Sequence, residues 1–233
     1  LSYYFPPDLS AGSFRSRSIA DELIKKKYSK HTVDILTTLP NRYEEYNIKA
    51  KKIEKLSKNI TVFRFQTNNG KSNLIYQSVN FVKYCLQVFN HMKHNQYDII
   101  FATSSRLLTG FLGALVSKYK KIPLYLDIRD IFPDTIISID NNYSLKIFYP
   151  LLLIIENFTI NHAKKINLIS KGFKPYFNKK FSKKYYTFHT NGIDEIFYKF
   201  KLRNNSKKSK IKKVLYAGNI GSGQALEQII PDL

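Results

Sequence analysis

Two aspartates bracket an arginine in LDIRDIFPD (126–134), where Asp127, Arg129 and Asp130 crowd the end of the apolar run PLYLDI (123–128). A charge at the end of a buried strand must be paired or face a ligand, because an unpaired buried charge is costly. Two readings are open at this point: an Arg–Asp pair bracing the loop, or charges that face a ligand. A second group lies in YYFPPDLSAGSFRSR (3–17). There Pro6 and Pro7 end a first strand, and a Gly12-Ser13 turn leads into a helix carrying Arg15 and Arg17. Glycine allows close approach of the backbone to a ligand, and a helix N-terminus offers free N–H groups to an anion. Arg15 and Arg17 add charge there or are solvated surface arginines.

Three more loops follow strands. Ser104, Ser105 and Arg106 stand before a helix, and for the serines N-capping is the favoured reading. HTNGIDEIF (189–197) sets Asn191-Gly192 in a tight turn. AGNIGSGQAL (217–226) places Gly218, Asn219, Gly221 and Gly223 between a strand and a helix, a plausible phosphate cradle. It lacks the Lys-Ser/Thr ending of a P-loop, and neither G-x-G-x-x-G nor G-x-S-x-G occurs. The five histidines have no metal-like spacing and Cys85 stands alone, so no metal or other cofactor is expected. One cysteine also excludes an intramolecular disulfide, and in its apolar surroundings it reads as packing.

The elements that position these loops alternate. Strands are expected at 1–5, 32–40, 60–65, 97–104, 123–128, 165–170 and 185–189. Helices are expected at 13–27, 72–94, 106–119, around 144–163 and at 171–180. The long helix recurs in Leu74, Val79, Val82, Leu86 and Phe89 at three and four residues. Alternation at this spacing predicts βαβ units and an α/β fold with a doubly wound parallel sheet. In such sheets ligands bind beyond the carboxyl ends of the strands, where the loops above lie.

The basic stretch KFKLRNNSKKSKIKK (199–213) has no periodicity and reads as a linker. After it KVLYAGNIGSGQALEQII opens a strand, a glycine-rich turn and a helix, as a second α/β domain begins. The expected organisation is one domain over 1–198, a linker over 199–212 and the start of another domain over 213–233. Met92 is the only methionine, so the stretch is expected to be a piece of a longer chain.

The formal net charge is +21, and residues 164–213 hold sixteen Lys or Arg against Asp194 and Glu195, which places +14 there. Such an excess favours polyanions: nucleic acid, an acidic membrane face or phosphorylated ligands. A residue composition biased toward Lys, Asn, Ile, Tyr and Phe accounts equally well for the total, less well for its clustering. The longest apolar run, Tyr149–Ile155, falls well short of the ~20 residues of a membrane span. For helix 144–163, core packing is favoured over docking on anionic lipid.

Together these segments resemble the family 4 glycosyltransferases of GT-B fold, especially those that build bacterial surface polysaccharides. The likeness rests on YYFPPDLSAGSFRSRSIADEL, YDIIFATSSRLLTGFLGALVSK, LDIRDIFPD, ENFTINHAKKINLIS, HTNGIDEIF and LYAGNIGSGQALEQI, in that order. It implies two Rossmann-like domains and retaining transfer of a hexosyl or N-acetylhexosaminyl group from a nucleotide-sugar donor to a lipid-linked saccharide acceptor. The product would belong to O-antigen, lipopolysaccharide or capsule synthesis.

On that resemblance Gly12, Ser13 and Arg15 approach the donor diphosphate or the acceptor, and Arg129 and Asp130 line the catalytic cleft. Asn191, Gly192 and Asp194 mark the crossover between domains, and Gly218, Asn219 and Gly221 the first phosphate-facing loop of the second. The basic region and helix 144–163 would then hold the enzyme on the cytoplasmic face of the membrane. Many relatives carry Arg and Lys where this chain has Asn219 and Gln224, and the paired glutamates of the second domain lie past its end, so this stretch alone is expected to be inactive. A nucleotide-sugar epimerase of the same architecture is the alternative enzyme. A nucleic-acid-binding protein is disfavoured, since no such motif occurs and the aromatics follow core periodicity.

Overall fold

The computed structural model describes residues 1–25, 30–41, 48–67, 74–104, 107–131, 133, 147–193, 197, 215–218 and 226. In chain order the elements are α1 (Ala11–Ile24), β1 (Val33–Thr38), β2 (Ile53–Lys55), β3 (Ile60–Phe65), α2 (Leu74–His94), β4 (Ile100–Thr103), α3 (Leu107–Lys120), β5 (Leu124–Ile128), α4 (Tyr149–His162), β6 (Ala163–Leu168), a 3₁₀ turn at Lys171–Phe173, α5 (Lys174–Lys180) and β7 (Tyr186–Phe188).

Two sheets form, in the orders β1-β3-β2 and β4-β5-β6-β7. All neighbours are parallel except β2, which runs antiparallel on the outer edge of β3. Residues 1–5 lie between the sheets and join them. The Ser2 N–H donates to Leu36 O (3.2 Å) and the Thr38 N–H to Tyr3 O (3.3 Å) on one side. On the other, the Leu1 amino group donates to Phe101 O (2.6 Å) and the Thr103 N–H to Leu1 O (3.1 Å). The expected first strand is therefore in place but makes no regular ladder. Tyr3 O also accepts the Thr37 and Thr38 hydroxyls (3.1 and 2.8 Å). The combined order, with 1–5 at the centre, is that of a doubly wound Rossmann-like sheet.

Helices cover both faces, as alternation along the strands shows. Ile35 and Val62 pack with Ala20 of α1 and with Phe5. Their chain neighbours face the other way: Leu36 O accepts the Tyr84 hydroxyl of α2 (2.9 Å), and the Phe63 ring sits 4.5 Å from that of His91. Successive strand residues point to opposite faces, so α1 and α2 lie on opposite sides. α3 packs closely on β4 and β5 through small residues. A Cβ built on Gly113 would meet that of Ala102 at 2.6 Å, and one on Gly110 the Leu126 side chain at 3.0 Å. Leu112, Leu124, Leu126, Ile160, Ile166 and Leu168 form the floor of this half of the core.

Several expectations are corrected. α1 starts at Ala11, so Gly12 and Ser13 form its first helical turn and not a separate turn before it. Ser10 is the N-cap, its side chain accepting the Ser13 N–H (3.1 Å). The polar 41–59 stretch contains β2, which Arg64 secures by pairing with Glu54 (2.7 Å). Asn191-Gly192 makes no tight turn: 191–193 have no regular structure, and no described glycine has a positive φ. Leu215–Gly218 have no regular structure either, and Leu215 is 90% exposed. Asp194, Asn219, Gly221, Arg106 and the linker at 199–212 lie outside the described residues.

Candidate functional site

The candidate site lies beyond the carboxyl ends of the central strands. On one side of the switch point is the loop after residues 1–5, and on the other are the ends of β4 and β5. The first loop is braced from below. Arg64, only 4% exposed, donates to Pro6 O (2.7 Å) and Lys51 O (3.1 Å). Asp8, also buried, accepts the Asn41 N–H (3.1 Å). These contacts bring α1 N-terminus first toward the strand ends, with Gly12 and Ser13 buried. The Ser13 hydroxyl is buried without a hydrogen-bond partner.

At the end of β5, Asp127 is almost wholly buried and forms a fork with Arg15: Nε to Oδ2 at 2.8 Å and Nη2 to Oδ1 at 2.9 Å. Asn167 of β6 adds a hydrogen bond to Oδ1 (2.7 Å). The Arg–Asp pair left open in LDIRDIFPD thus exists, but Asp127 takes Arg15 as partner, 112 residues away. Arg15 reaches further. Nη2 donates to His189 O (3.0 Å), and Nη1 to Thr190 O (3.1 Å) and Asn191 Oδ1 (3.3 Å). Arg17 is elsewhere, in an exposed pair with Asp21 on the same helix.

Arg129 and Asp130 follow Asp127 on the same loop. The Ser104 hydroxyl accepts the Arg129 backbone N–H (3.2 Å), a bond across the sheet, while Ser105 lies outside the described residues. Arg129 Nε is buried and has no hydrogen-bond partner. Burial lowers this guanidinium's pKa; Asp127 and Asp130 pull it back up, and Arg15 pushes it further down. Burial raises the Asp130 carboxyl above its ordinary value, against the attraction of Arg129. A half-buried cation and a carboxyl whose pKa is raised therefore adjoin at the strand ends.

Beneath Asp130 is a cavity of about 20 Å³, lined by Ser104, Leu126, Ile128, Glu156 and Phe177 among others. Glu156, which follows the apolar run Leu151–Ile155 of α4, is 4% exposed and accepts from the Tyr176 hydroxyl (2.9 and 3.0 Å) and Lys180 Nζ (3.3 Å). Glu156 and Asn167 are not strand-end loop residues in the sequence; their signal is a polar residue that breaks apolar neighbours, Glu156 after Leu151–Ile155 and Asn167 between Ile166 and Leu168. A third polar chain, His91–Tyr97–Asp34, lies away from the site; Tyr97 donates to Asp34 at 2.6 Å and meets His91 Nε2 at 2.8 Å. Among the described residues no group of His, Cys, Asp and Glu could hold a metal ion.

The site therefore brings together Gly12, Ser13, Arg15, Arg129, Asp130 and Asn191, with Gly192 next along the chain. Gly218 is separate from these in any described contact; a Cβ built on it would touch the Tyr216 side chain.

The fold matches that of solved structures. One is a sucrose-phosphate synthase from Thermosynechococcus elongatus, with a TM-score of 0.54 and 12% identity over 78% of this chain and 86% of that one. No protein-family model matches the chain. No curated protein matches it. The shared feature is the fold, an α/β Rossmann-like sheet.

Proposed function

We propose that the chain is the acceptor-side domain of a glycosyltransferase that takes a sugar from a nucleotide-sugar donor. One observation carries this reading: Arg129 presents a desolvated guanidinium with an unpartnered Nε beside Asp130, at the carboxyl end of a central parallel strand. That is where ligands bind in doubly wound sheets. The fold shared with a sucrose-phosphate synthase and the motif order described above point the same way.

In this mechanism Arg129 stabilises negative charge building on the departing diphosphate, an electrostatic contribution strengthened by exclusion of water. The N-terminus of α1, at Gly12 and Ser13, adds backbone N–H groups and the positive end of the helix dipole. Asp130 hydrogen-bonds a sugar hydroxyl and orients it. Asn191, Gly192 and Asp194 carry the chain across to the donor-binding domain, which Gly218, Asn219 and Gly221 begin. Transfer proceeds with retention, to a lipid-linked saccharide in surface-polysaccharide assembly.

The acceptor's location gives the exposed face of α4 a role. Ile147 and Phe148 just before the helix, with Leu151 and Ile154 on it, are 52–77% exposed. Exposed lysines follow at 164, 165, 171, 174 and 183. Apolar residues backed by cations suit reversible contact with the anionic cytoplasmic leaflet, at about 1 kcal/mol per well-placed Lys or Arg. Among the described residues no helix is long and apolar enough to cross a membrane.

The test is to incubate the complete protein with a panel of nucleotide sugars and a polyprenyl-diphosphate-linked sugar and to follow nucleotide release. Release that depends on acceptor establishes the transferase and names the donor. Interconversion of nucleotide sugars without acceptor replaces it with an epimerase. No turnover by folded protein across the panel defeats the reading.

A further inference from the structure

Arg15 has the position of a phosphate-binding residue, yet its hydrogen bonds point inward. A guanidinium has five N–H donors. In this structure Nε–H and one Nη2–H go to Asp127, the other Nη2–H to His189 O, and the two Nη1–H to Thr190 O and Asn191 Oδ1. A ligand oxygen would have to displace a protein acceptor to reach any of them. Moreover, the charge is already neutralised by a carboxylate that is only 1% exposed.

The acceptors on its outer side come from three consecutive residues, 189–191, immediately after β7. Asn167 grips the same segment from below. Its Oδ1 accepts the His189 N–H (2.7 Å), and its Nδ2 donates to His189 O (3.2 Å) as well as to Asp127. Backbone pairing of β6 with β7 ends at Leu168 and Phe188. Beyond that point side-chain amide and guanidinium groups take over the ladder, and both polar groups of His189 are satisfied by side chains.

We propose that Arg15 is a positioning residue: together with Asp127 and Asn167 it clamps the 189–191 backbone against the sheet, and so fixes Asn191 and Gly192 at the end of the sheet where Arg129 stands. Among the described residues of the site, the ligand-facing cation is then Arg129. The effect on catalysis rests on the glycosyltransferase reading; the clamp itself does not.

Lysine at position 15 keeps the charge but cannot serve five acceptors in one plane. The informative variants are therefore R15K, N167A and the double variant, made in the full chain. The first readout is amide hydrogen exchange in ligand-free protein. R15K is expected to speed exchange at 189–193 at least tenfold while β4 and β5 keep their protection. N167A loosens the same segment, and the double variant exceeds the larger single effect by little, since one clamp is broken either way.

Unchanged exchange at 189–193 in R15K and N167A overturns the proposal. Should R15K fail to fold, N167A still decides, because it touches the segment without removing the buried charge pair. The second readout is kinetic: both variants raise the donor KM by a similar factor, and N167A does so although its side chain is out of a ligand's reach. A donor KM raised by R15K alone, with 189–193 still protected, means that Arg15 contacts the ligand and also overturns the proposal. Wild-type protein that binds no nucleotide sugar defeats the functional reading, while the exchange result still judges the clamp.

Discussion

Arg15 and Arg129 meet the same carboxylate-rich strand end from opposite sides and are treated in opposite ways. Arg15 is fully satisfied: every donor has a protein acceptor, and its charge is cancelled by Asp127. Arg129 is left short: Nε has no partner, and burial weakens its hold on a proton. At the strand ends Arg15 has no donor left to spend, whereas Arg129 keeps one. The Asp127 carboxylate makes its hydrogen bonds to Arg15 and reaches Arg129 only through its charge, as Asp130 does.

The largest effect that separates them concerns stability. Asp127→Ala strands the Arg15 guanidinium in a buried position, and removal of one member of a buried pair costs about 3–5 kcal/mol. Urea unfolding should show that loss. Arg129→Ala removes a desolvated charge with an unmade bond, so its stability should stay within about 1 kcal/mol of wild type. Equal losses from both variants would erase the distinction. Binding should reverse the order: calorimetry with a nucleotide diphosphate is expected to show Arg129→Ala losing at least tenfold in affinity, about 1.4 kcal/mol.

A smaller effect sharpens the same contrast. Gly113→Ala lies under neither arginine, and its new methyl would collide with Ala102, costing about 1–3 kcal/mol by overpacking with donor affinity unchanged. The smallest is a pH dependence. Burial raises the folded-state pKa of Asp130 above its unfolded value near 3.8. The folded state then binds this proton more tightly, so the contribution is fully present below the unfolded pKa and is lost as pH rises through the folded one. Asp130→Asn should therefore match wild type below that window and be the more stable protein above it. A flat difference across the titration would mean that Asp130 is not desolvated.

The sequence shows where charges meet strands better than it shows what they bind. β3 was legible to the residue because ITVFRF alternates faces, and β5 because its apolar run ends abruptly in Asp127. The place of Arg129 and Asp130 followed from that ending. β2 was not legible: a three-residue antiparallel edge strand in a polar stretch has no period to read, and Arg64 of β3 secures it through a side chain. Residues 1–5 were legible as a strand but not as an irregular one, since nothing in LSYYF shows that Tyr3 O takes two side-chain hydroxyls of β1 as well as a backbone N–H. The partner of Arg15 was not legible either, since only the folded sheet brings α1 to β5, β6 and the end of β7. The same holds for Asn167, whose role appears only once β7 stops pairing.

The central place of residues 1–5 bears on how the domain assembles. Their partners are Leu36 on one side and Phe101 on the other, so this seam closes only when stretches far apart in the chain come together. Non-local pairing of this kind slows folding. A ribosome would release 1–5 and β1 long before β4 exists, and in that interval residues 1–5 present an open edge whose partners at Phe101 and Thr103 are not yet made. Until that seam closes, the open edge is where other chains compete for pairing.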